Sequence, residues 1–334
     1  MKNVFKSLFY FVFVFAVVLS VDAAPAKAKK TSKGKALAVK APAAPVAKNS
    51  VRRAPYQGAI SLDADTGRII FSDRANEKAY PASVTKLMTM LLIMEDLYAG
   101  IYTAQDMVTA SVRATREKPS VAGLLPGQKM SVDDMLYSLM VKSANDVAVA
   151  LAEFSVARRA GREIEPGDLN AFIHRMNAKA KELGMTNTIY QTPNGYPPKP
   201  GSGKPFDTST AADLVKLARA IVKIPLVYRY TNTKIATVTD GHGKPLRFVN
   251  HNNILVKDKW KILNSKGESE VDGLKTGYID RGGSSIILTG KRNGHRAIVI
   301  VVGSDRAKMR DEAARRLMIE ALDAIAGEEG IGKR

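Results

Sequence analysis

Short runs typical of β-strands lie near both ends of this 334-residue chain, and helical patterns fill the region between them. Residues 59–62 and 68–71 predict an early hairpin, and residues 285–289 and 297–302 flank a turn with Asn-Gly at 293–294, a strong hairpin signal. This order predicts an α+β fold: a mixed or antiparallel sheet that carries strands from both ends, with flanking helices and a helical subdomain inserted between them.

Several helices are predicted in the central region. Residues 84–94 are apolar on nearly every face, which is typical of a helix in the middle of a domain. Ser131 stands three positions before an acidic residue, which predicts the start of a helix that runs to about residue 141. Further helices are predicted from 145, over 168–183, from 210 to before Pro225, and over 305–325. Further strands are predicted at 235–239, 246–249 and 273–278.

The first residues predict export. Residues 1–23 combine Lys2 and Lys6 with an apolar run of twelve residues and small residues after it, the pattern of a cleaved signal peptide. The run is short for a transmembrane helix, although an uncleaved membrane anchor is the alternative. We therefore expect secretion across the inner membrane, to a periplasmic or extracellular location.

Residues 24–55 are predicted to be a basic, disordered linker. They contain nine Lys and Arg residues and no acid, in a background of small residues, and hold about half of the formal net charge of +19. Two interpretations remain: attraction to an anionic wall polymer or membrane surface, or a solvated spacer. No nucleic-acid partner is expected, because no aromatic side chain is available there to stack on bases. The folded domain is predicted over 56–326, followed by a polar tail at 327–334.

Composition excludes several kinds of catalytic site. The chain has no cysteine, which rules out a thiol nucleophile, thiolate metal ligands and disulfides. Its four histidines have neither metal-ligand spacing nor the setting of a Ser-His-Asp triad. We expect no metal and no cofactor.

Three short motifs, each weak alone, together predict a serine acyl-transfer enzyme. Ser83 and Lys86 are three residues apart at the start of the apolar helix, so the lysine amine can reach the serine hydroxyl. The free backbone N–H of Ser83 could supply half of an oxyanion hole. Lys86 must be neutral to accept a proton, and burial or a nearby cation such as Lys275 would lower its pKa.

The other two motifs complete this chemistry. Ser143 and Asn145 lie in the connection between two predicted helices; Ser143 can relay a proton, and Asn145 can bind both the lysine and a substrate amide. Lys275 and Thr276, on a predicted edge strand, can bind a substrate carboxylate, while Gly277 allows close approach of a ligand. Catalytic roles are thus predicted for the first four residues, and substrate binding for the last three.

With these motifs the chain resembles the low-molecular-mass penicillin-binding proteins, the D-alanyl-D-alanine carboxypeptidases of bacterial cell walls. The similarity extends to Pro81–Thr89, Ser143–Ala148, Pro193-Asn194-Gly195 and Asp272–Tyr278. It implies a β-lactamase/transpeptidase-like fold and removal of the terminal D-alanine from peptidoglycan stem peptides through an acyl-enzyme on Ser83. It also implies that β-lactams are covalent inhibitors. Ile279 departs from the threonine that often follows in the family, which affects fine substrate contacts.

Three alternatives share these motifs. A D-alanyl-D-alanine endopeptidase, which cuts peptidoglycan cross-links, cannot be separated by motifs. A β-lactamase is less favoured, because Glu165 follows Asn145 by only twenty residues, too closely for a deacylating glutamate. A non-enzymatic wall-binding protein would more naturally have lost Lys86 or Lys275, and both are present.

Overall fold

A five-stranded antiparallel sheet forms the centre of the fold. The structure, a computed structural model, describes residues 54–198, 201–240 and 242–327. The strands are β1 (Gly58–Asp63), β2 (Ile69–Asp73), β3 (Met107–Thr109), β4 (Lys129–Ser131), β5 (Ile235–Thr239), β6 (Pro245–Val249), β7 (Val271–Ile279), β8 (Gly283–Arg292) and β9 (His295–Ser304). The main sheet has the order β2-β1-β9-β8-β7, while β3–β4 and β5–β6 form separate two-stranded sheets.

The main sheet joins strands from both ends of the sequence. Strand β1 is antiparallel to β9, with Ala59 opposite Val301 and Ser61 opposite Val299. Both predicted hairpins are present, β1–β2 and β8–β9. The expected α+β fold with an antiparallel sheet is therefore confirmed, and β7 is an edge strand with β8 as its one neighbour in the sheet.

The described residues contain eight α-helices. Seven of them lie between β2 and β7 in the sequence, and the eighth follows β9. They are α1 (Lys86–Tyr98), α2 (Val132–Tyr137), α3 (Asn145–Arg159), α4 (Asp168–Glu182), α5 (Ala211–Ile221), α6 (Pro225–Thr231), α7 (Asn253–Val256) and α8 (Ala307–Gly327). Ser131 and Thr210 cap their helices, each accepting a hydrogen bond from the backbone N–H three residues on, as their sequence contexts predict.

Both faces of the sheet are buried, which explains why residues 297–302 of β9 are apolar without interruption. Val299 and Val301 belong to the cluster packed beneath α8, with Leu317 among its members. Ile298 and Ile300 point to the opposite face and belong to the larger cluster that contains α1. Successive side chains of a strand alternate between faces, so a strand covered on both sides must be apolar at every position.

Two local features differ from the sequence prediction. The helix predicted to run to residue 141 becomes a π-helix at Ser138–Lys142, and this wider turn ends at Ser143 in a left-handed conformation, with φ of 61°. Helix α6 begins at Pro225, where the preceding helix was expected to stop and no new one was foreseen. Proline at the first helical position loses no hydrogen bond, because that N–H is unpaired in any helix.

The predicted signal peptide (1–23) and most of the predicted linker (24–55) lie outside the described residues, as does nearly all of the polar tail (327–334). Those assignments stay predictions. In the part of the chain that is described, no helix has the length and apolarity needed to cross a membrane.

Candidate active site

Ser83 lies in a short 3-10 turn, Ala82–Thr85, that leads directly into α1. The turn is held against β7: a Cβ added to Gly277 would be 3.0 Å from the backbone nitrogen of Ser83. Only glycine at this strand position lets the two backbones approach so closely. The Ser83 side chain is therefore fixed at the point where the edge strand and the central helix meet.

Lys86 is fully buried at the start of α1, and its amine has three oxygen neighbours. The Nζ atom lies 3.0 Å from Ser83 Oγ, and donates to Asn145 Oδ1 and to the Asn194 backbone carbonyl, both at 2.7 Å. The amide and carbonyl oxygens can only accept, whereas a hydroxyl can also donate. A neutral amine has two N–H groups for these two acceptors, which leaves its lone pair directed at the Ser83 hydroxyl.

The surroundings of Lys86 favour that neutral form. Burial lowers the pKa of Lys86 well below its usual value, and the positive charge of Lys275 lowers it further. The carboxylates of Asp207 and Glu117 act in the opposite direction, with a smaller effect than burial. Burial and a neighbouring lysine are the two causes that the sequence predicted.

Ser143 and Asn145 flank the junction between the π-helix and α3. The Ser143 Oγ atom is buried and has no hydrogen-bond partner within the described residues. Asn145 uses both ends of its amide: Oδ1 accepts from Lys86, and Nδ2 donates to the Lys118 carbonyl at 3.1 Å. Asn145 thus fixes the lysine amine, while the Ser143 hydroxyl is free to bond a ligand.

Lys275 and Thr276 are buried on β7. The Lys275 amine donates to the Thr276 backbone carbonyl at 3.0 Å. Burial, and then the charge of Arg310, lower the pKa of Lys275 to about 7. A bound anion would favour the charged form of Lys275 and raise its pKa again, so this buried amine is suited to bind a carboxylate.

Two residues not selected from sequence also contribute to the site. Asn194 offers its backbone carbonyl to Lys86, and its side-chain Nδ2 donates to Glu117 Oε2 at 3.0 Å. The following Gly195 crosses so close to the nucleophile turn that an added Cβ would overlap the Ala82 carbonyl oxygen. The family segment Pro193-Asn194-Gly195 was the sequence signal here, but a carbonyl acceptor cannot be read from a side chain.

The structure therefore brings all seven predicted site residues to one region, at the junction of α1, the π-helix and β7. Among the described residues, no group of three or more His, Asp or Glu side chains is arranged to hold a metal ion.

Comparison with known proteins identifies a family and several relatives of this chain. Residues 46–306 match the peptidase S11 family, described as D-alanyl-D-alanine carboxypeptidase. The carboxypeptidase DacF of Bacillus subtilis is 32% identical over 262 residues, which cover 78% of this chain and 61% of DacF. The D-alanyl-D-alanine endopeptidase of Escherichia coli is 28% identical, over 83% of this chain and 76% of that protein.

A solved structure shares this architecture. Penicillin-binding protein D2 of Listeria monocytogenes, in an ampicillin-bound form, superposes with a TM-score of 0.66 at 26% identity, over 81% of this chain and 99% of that one. The chain spans 61% of the length of DacF and 59% of the Escherichia coli carboxypeptidase DacC.

Proposed function

Since the chain belongs to the peptidase S11 family of D-alanyl-D-alanine carboxypeptidases, we propose that it removes the terminal D-alanine from peptidoglycan stem peptides by serine catalysis. The observation that carries this proposal is the contact between Lys86 Nζ and Ser83 Oγ, 3.0 Å apart, with the amine fully buried. A buried neutral amine can accept the proton of a neighbouring serine hydroxyl, which activates that hydroxyl to attack an acyl carbon.

In the acylation step, Ser83 Oγ attacks the carbonyl carbon of the scissile amide while its proton passes to Lys86 Nζ. The C–N bond of the resulting tetrahedral intermediate then breaks, and the departing amine takes a proton through Ser143 Oγ, which Lys86 replenishes. Terminal D-alanine leaves, and the rest of the peptide remains as an ester on Ser83. The unpartnered Ser143 hydroxyl supports its role as the relay.

In the deacylation step, water attacks the ester carbonyl and Lys86 accepts a proton from it. Ser83 Oγ leaves and recovers that proton, and the shortened stem peptide is released as a carboxylic acid. Since Asn145 and the Asn194 carbonyl hold the amine in place, the same geometry serves both steps.

Lys275, Thr276 and Gly277 are proposed to bind the substrate. The charge of Lys275 attracts the carboxylate of the terminal D-alanine, and that anion in turn raises the pKa of the lysine and keeps it charged. Thr276 offers its hydroxyl on the same edge strand, and Gly277 leaves room for the peptide backbone beside the nucleophile. The same contacts would accept the carboxylate of a β-lactam, which we propose as a covalent inhibitor of Ser83.

The test uses a fluorescent penicillin and a pentapeptide ending in D-Ala-D-Ala. The wild-type protein should be labelled and should release D-alanine, whereas Ser83→Ala should do neither. Ser72→Ala, an exposed serine on β2, is the matched control and should behave as wild type. A labelled Ser83→Ala variant, or an unlabelled wild-type protein with a normal circular dichroism spectrum, would contradict the proposal.

Cleavage of cross-links is the second candidate activity. It is supported by the similarity to the Escherichia coli endopeptidase, of which the match covers 76%. Both reactions use the same acyl-enzyme and differ only in the leaving amine.

We further propose that the protein works outside the inner membrane, in agreement with the predicted signal peptide at 1–23. The basic segment 24–55 would then bind an anionic wall polymer or membrane surface. Binding of a peptide with this sequence to anionic and neutral vesicles, at low and high salt, tests that role: retention on the anionic vesicles alone, lost at high salt, is expected.

A further inference from the structure

Asp207 is a buried carboxylate that the proposed catalytic steps do not use. It is 6% exposed and lies a few residues before α5. Its two oxygens accept four hydrogen bonds, two from backbone N–H groups and two from hydroxyl groups. A fully satisfied buried network of this kind makes the groups that take part in it rigid. The partners of Asp207 belong to two separate parts of the active site.

Most of these partners lie in the loop at residues 191–195, which we call the carbonyl loop because it presents the Asn194 carbonyl to Lys86. Asp207 Oδ1 accepts from the backbone nitrogens of Gln191 at 2.6 Å and Thr192 at 3.0 Å. Asp207 Oδ2 accepts from Thr192 Oγ1, also at 3.0 Å. One carboxylate therefore fixes the start of the carbonyl loop.

The Thr192 hydroxyl extends this restraint to the end of the carbonyl loop. Its Oγ1 donates to Asp207 and accepts from the Gly195 backbone nitrogen at 2.8 Å. A hydroxyl that donates on one side and accepts on the other has a fixed orientation. Gly195 directly follows Asn194, so two hydrogen bonds in series connect Asp207 to the residue next to the carbonyl that Lys86 uses.

The remaining partner of Asp207 lies between the two catalytic residues of the first motif. Thr85 Oγ1 donates to Asp207 Oδ2 at 3.1 Å, and both side chains are buried. Thr85 is the last residue of the 3-10 turn and directly precedes Lys86. Asp207 thus connects the carbonyl loop to the segment that carries the nucleophile and the base, and it fixes the distance between them.

We propose that ionised Asp207 is a positioning residue for catalysis, which holds the Asn194 carbonyl against Lys86 Nζ and so keeps the lone pair of that amine directed at the nucleophile. This inference rests on the proposed function and adds to it a residue outside the three motifs that acts through its neighbours. The Asn194 carbonyl is one of two acceptors that orient the amine, at 2.7 Å. A displacement of about 1 Å at such a contact can cost roughly 100-fold in rate.

The four hydrogen bonds require the ionised form of Asp207. A carboxylate can accept all four, whereas a protonated carboxyl group must donate one, so a hydroxyl partner would have to turn away. Burial raises the pKa of Asp207 to about 6, against the opposing effect of its hydrogen bonds. The titratable side chains that interact with it are Lys86 on α1 and Tyr190, whose own burial keeps the phenol neutral. Below about pH 6, Asp207 therefore takes up a proton and loosens the carbonyl loop.

The first variant is Asp207→Asn in the full chain, which keeps the size of the side chain. Its amide oxygen can still accept from the two backbone N–H groups, but its amide nitrogen cannot accept from the Thr85 and Thr192 hydroxyls. The loop also keeps the hydrogen bond from Thr89 Oγ1 to the Pro193 carbonyl, so the loss should be partial. The rate constant for acylation by a fluorescent penicillin should fall by roughly tenfold to 100-fold at pH 8.

The pH dependence separates positioning from a general structural role. The wild-type rate should fall as the pH drops through about 6, where Asp207 takes up its proton. At pH 5 about nine-tenths of wild-type Asp207 is protonated, so the difference between the wild type and Asp207→Asn should shrink to about threefold or less. A purely structural loss would lower the rate by the same factor at every pH.

A second pair of variants tests the connection through the carbonyl loop and does not depend on the folding of Asp207→Asn. Thr192→Val keeps the shape of the side chain but removes the hydroxyl between Asp207 and Gly195, and acylation at pH 8 should slow by roughly tenfold. Thr192→Ser keeps the hydroxyl and should stay within about twofold of wild type.

The matched control is Asp168→Asn, at a buried carboxylate at the start of α4. Asp168 accepts hydrogen bonds from the Arg162 guanidinium and from the Glu165 backbone nitrogen, and it has no bond to the carbonyl loop. This variant should be less stable in urea, because it loses an ion pair, while its acylation rate and pH profile stay at the wild-type values.

Three results would overturn the inference: a wild-type rate for Asp207→Asn, a loss in Asp207→Asn that is equal at pH 5 and pH 8, or a full rate for Thr192→Val. An equal loss in Thr192→Val and Thr192→Ser would also contradict it, because the hydroxyl would then not be the cause. A folded wild-type protein that penicillin does not label would instead contradict the proposed function itself.

Discussion

Replacing Lys275 by methionine should stabilise the fold while it removes carboxylate binding. The buried amine has a pKa of about 7, against 10.5 for an unperturbed lysine side chain. Between these values the unfolded chain binds more protons than the folded one, so stability rises with pH through this window. At about 1.36 kcal/mol for each pKa unit, holding this lysine in the fold costs about 4 kcal/mol at pH 7 relative to high pH.

Methionine keeps the apolar length of the side chain and carries no charge. The lost hydrogen bond to the Thr276 carbonyl costs about 1–2 kcal/mol. The net expected gain is about 2–3 kcal/mol at pH 7, which corresponds to a rise of roughly 5–10 °C in melting temperature for a domain of this size. Penicillin labelling should fall sharply in the same variant.

Thermal and urea unfolding of both proteins at pH 7 and pH 10 measures this effect. The advantage of Lys275→Met should shrink to less than about 1 kcal/mol at pH 10, because the lysine is then neutral in the fold and pH 10 is within half a unit of the pKa at which the unfolded chain loses the same proton. Lys129→Met, at an exposed position on β4, should change stability by less than about 0.5 kcal/mol. A destabilised Lys275→Met variant at pH 7, or an advantage that does not depend on pH, would refute the reasoning.

Three further predictions concern acylation by a fluorescent penicillin. Gly277→Ala should slow it by about 100-fold or more, because the new Cβ must displace the Ser83 backbone. Glu117→Gln should move the acidic limb of the pH–rate profile to lower pH, because this carboxylate raises the pKa of Lys86. Ser143→Ala should slow acylation by roughly 100-fold while the urea midpoint stays constant or rises, since the lost hydroxyl is buried without a partner.

Matched variants separate these effects from general damage. Gly327→Ala, with no atom near the added Cβ, controls for the glycine change, and Glu77→Gln, at an exposed position, controls for the charge change. Wild-type kinetics for Gly277→Ala, an acidic limb that moves to higher pH, or a full rate for Ser143→Ala would each contradict the corresponding argument.

The main sheet could be predicted because its signals are local. The Asn293-Gly294 turn and the apolar runs beside it fix β8 and β9, and the early hairpin is marked in the same way. The separate β3–β4 pair was not foreseen, because three-residue strands carry no period. Helix α6 was missed because proline marks helix starts and helix ends alike.

The candidate site also has residues that the sequence predicted and residues that it did not. Side-chain chemistry selected Ser83, Lys86 and Asn145, whose contacts the structure supplies. The Asn194 backbone carbonyl could not be predicted from the sequence, because every residue has a carbonyl group. Only the tertiary fold determines which one accepts from Lys86. The left-handed backbone of Ser143 was equally hidden, since it follows from a π-helix that no spacing of apolar residues predicts.

The pairing of β1 with β9 has a consequence for how the molecule reaches its native state. Its nucleophile turn and the strand that faces it come from opposite ends of the folded region, and β7 gains its place only by joining β8 and β9. Contacts between distant parts of a sequence close large loops, so chains that depend on them fold slowly. Penicillin labelling during refolding should therefore appear in the last kinetic phase, after helical circular dichroism has recovered, and a chain that ends before β9 should not be labelled.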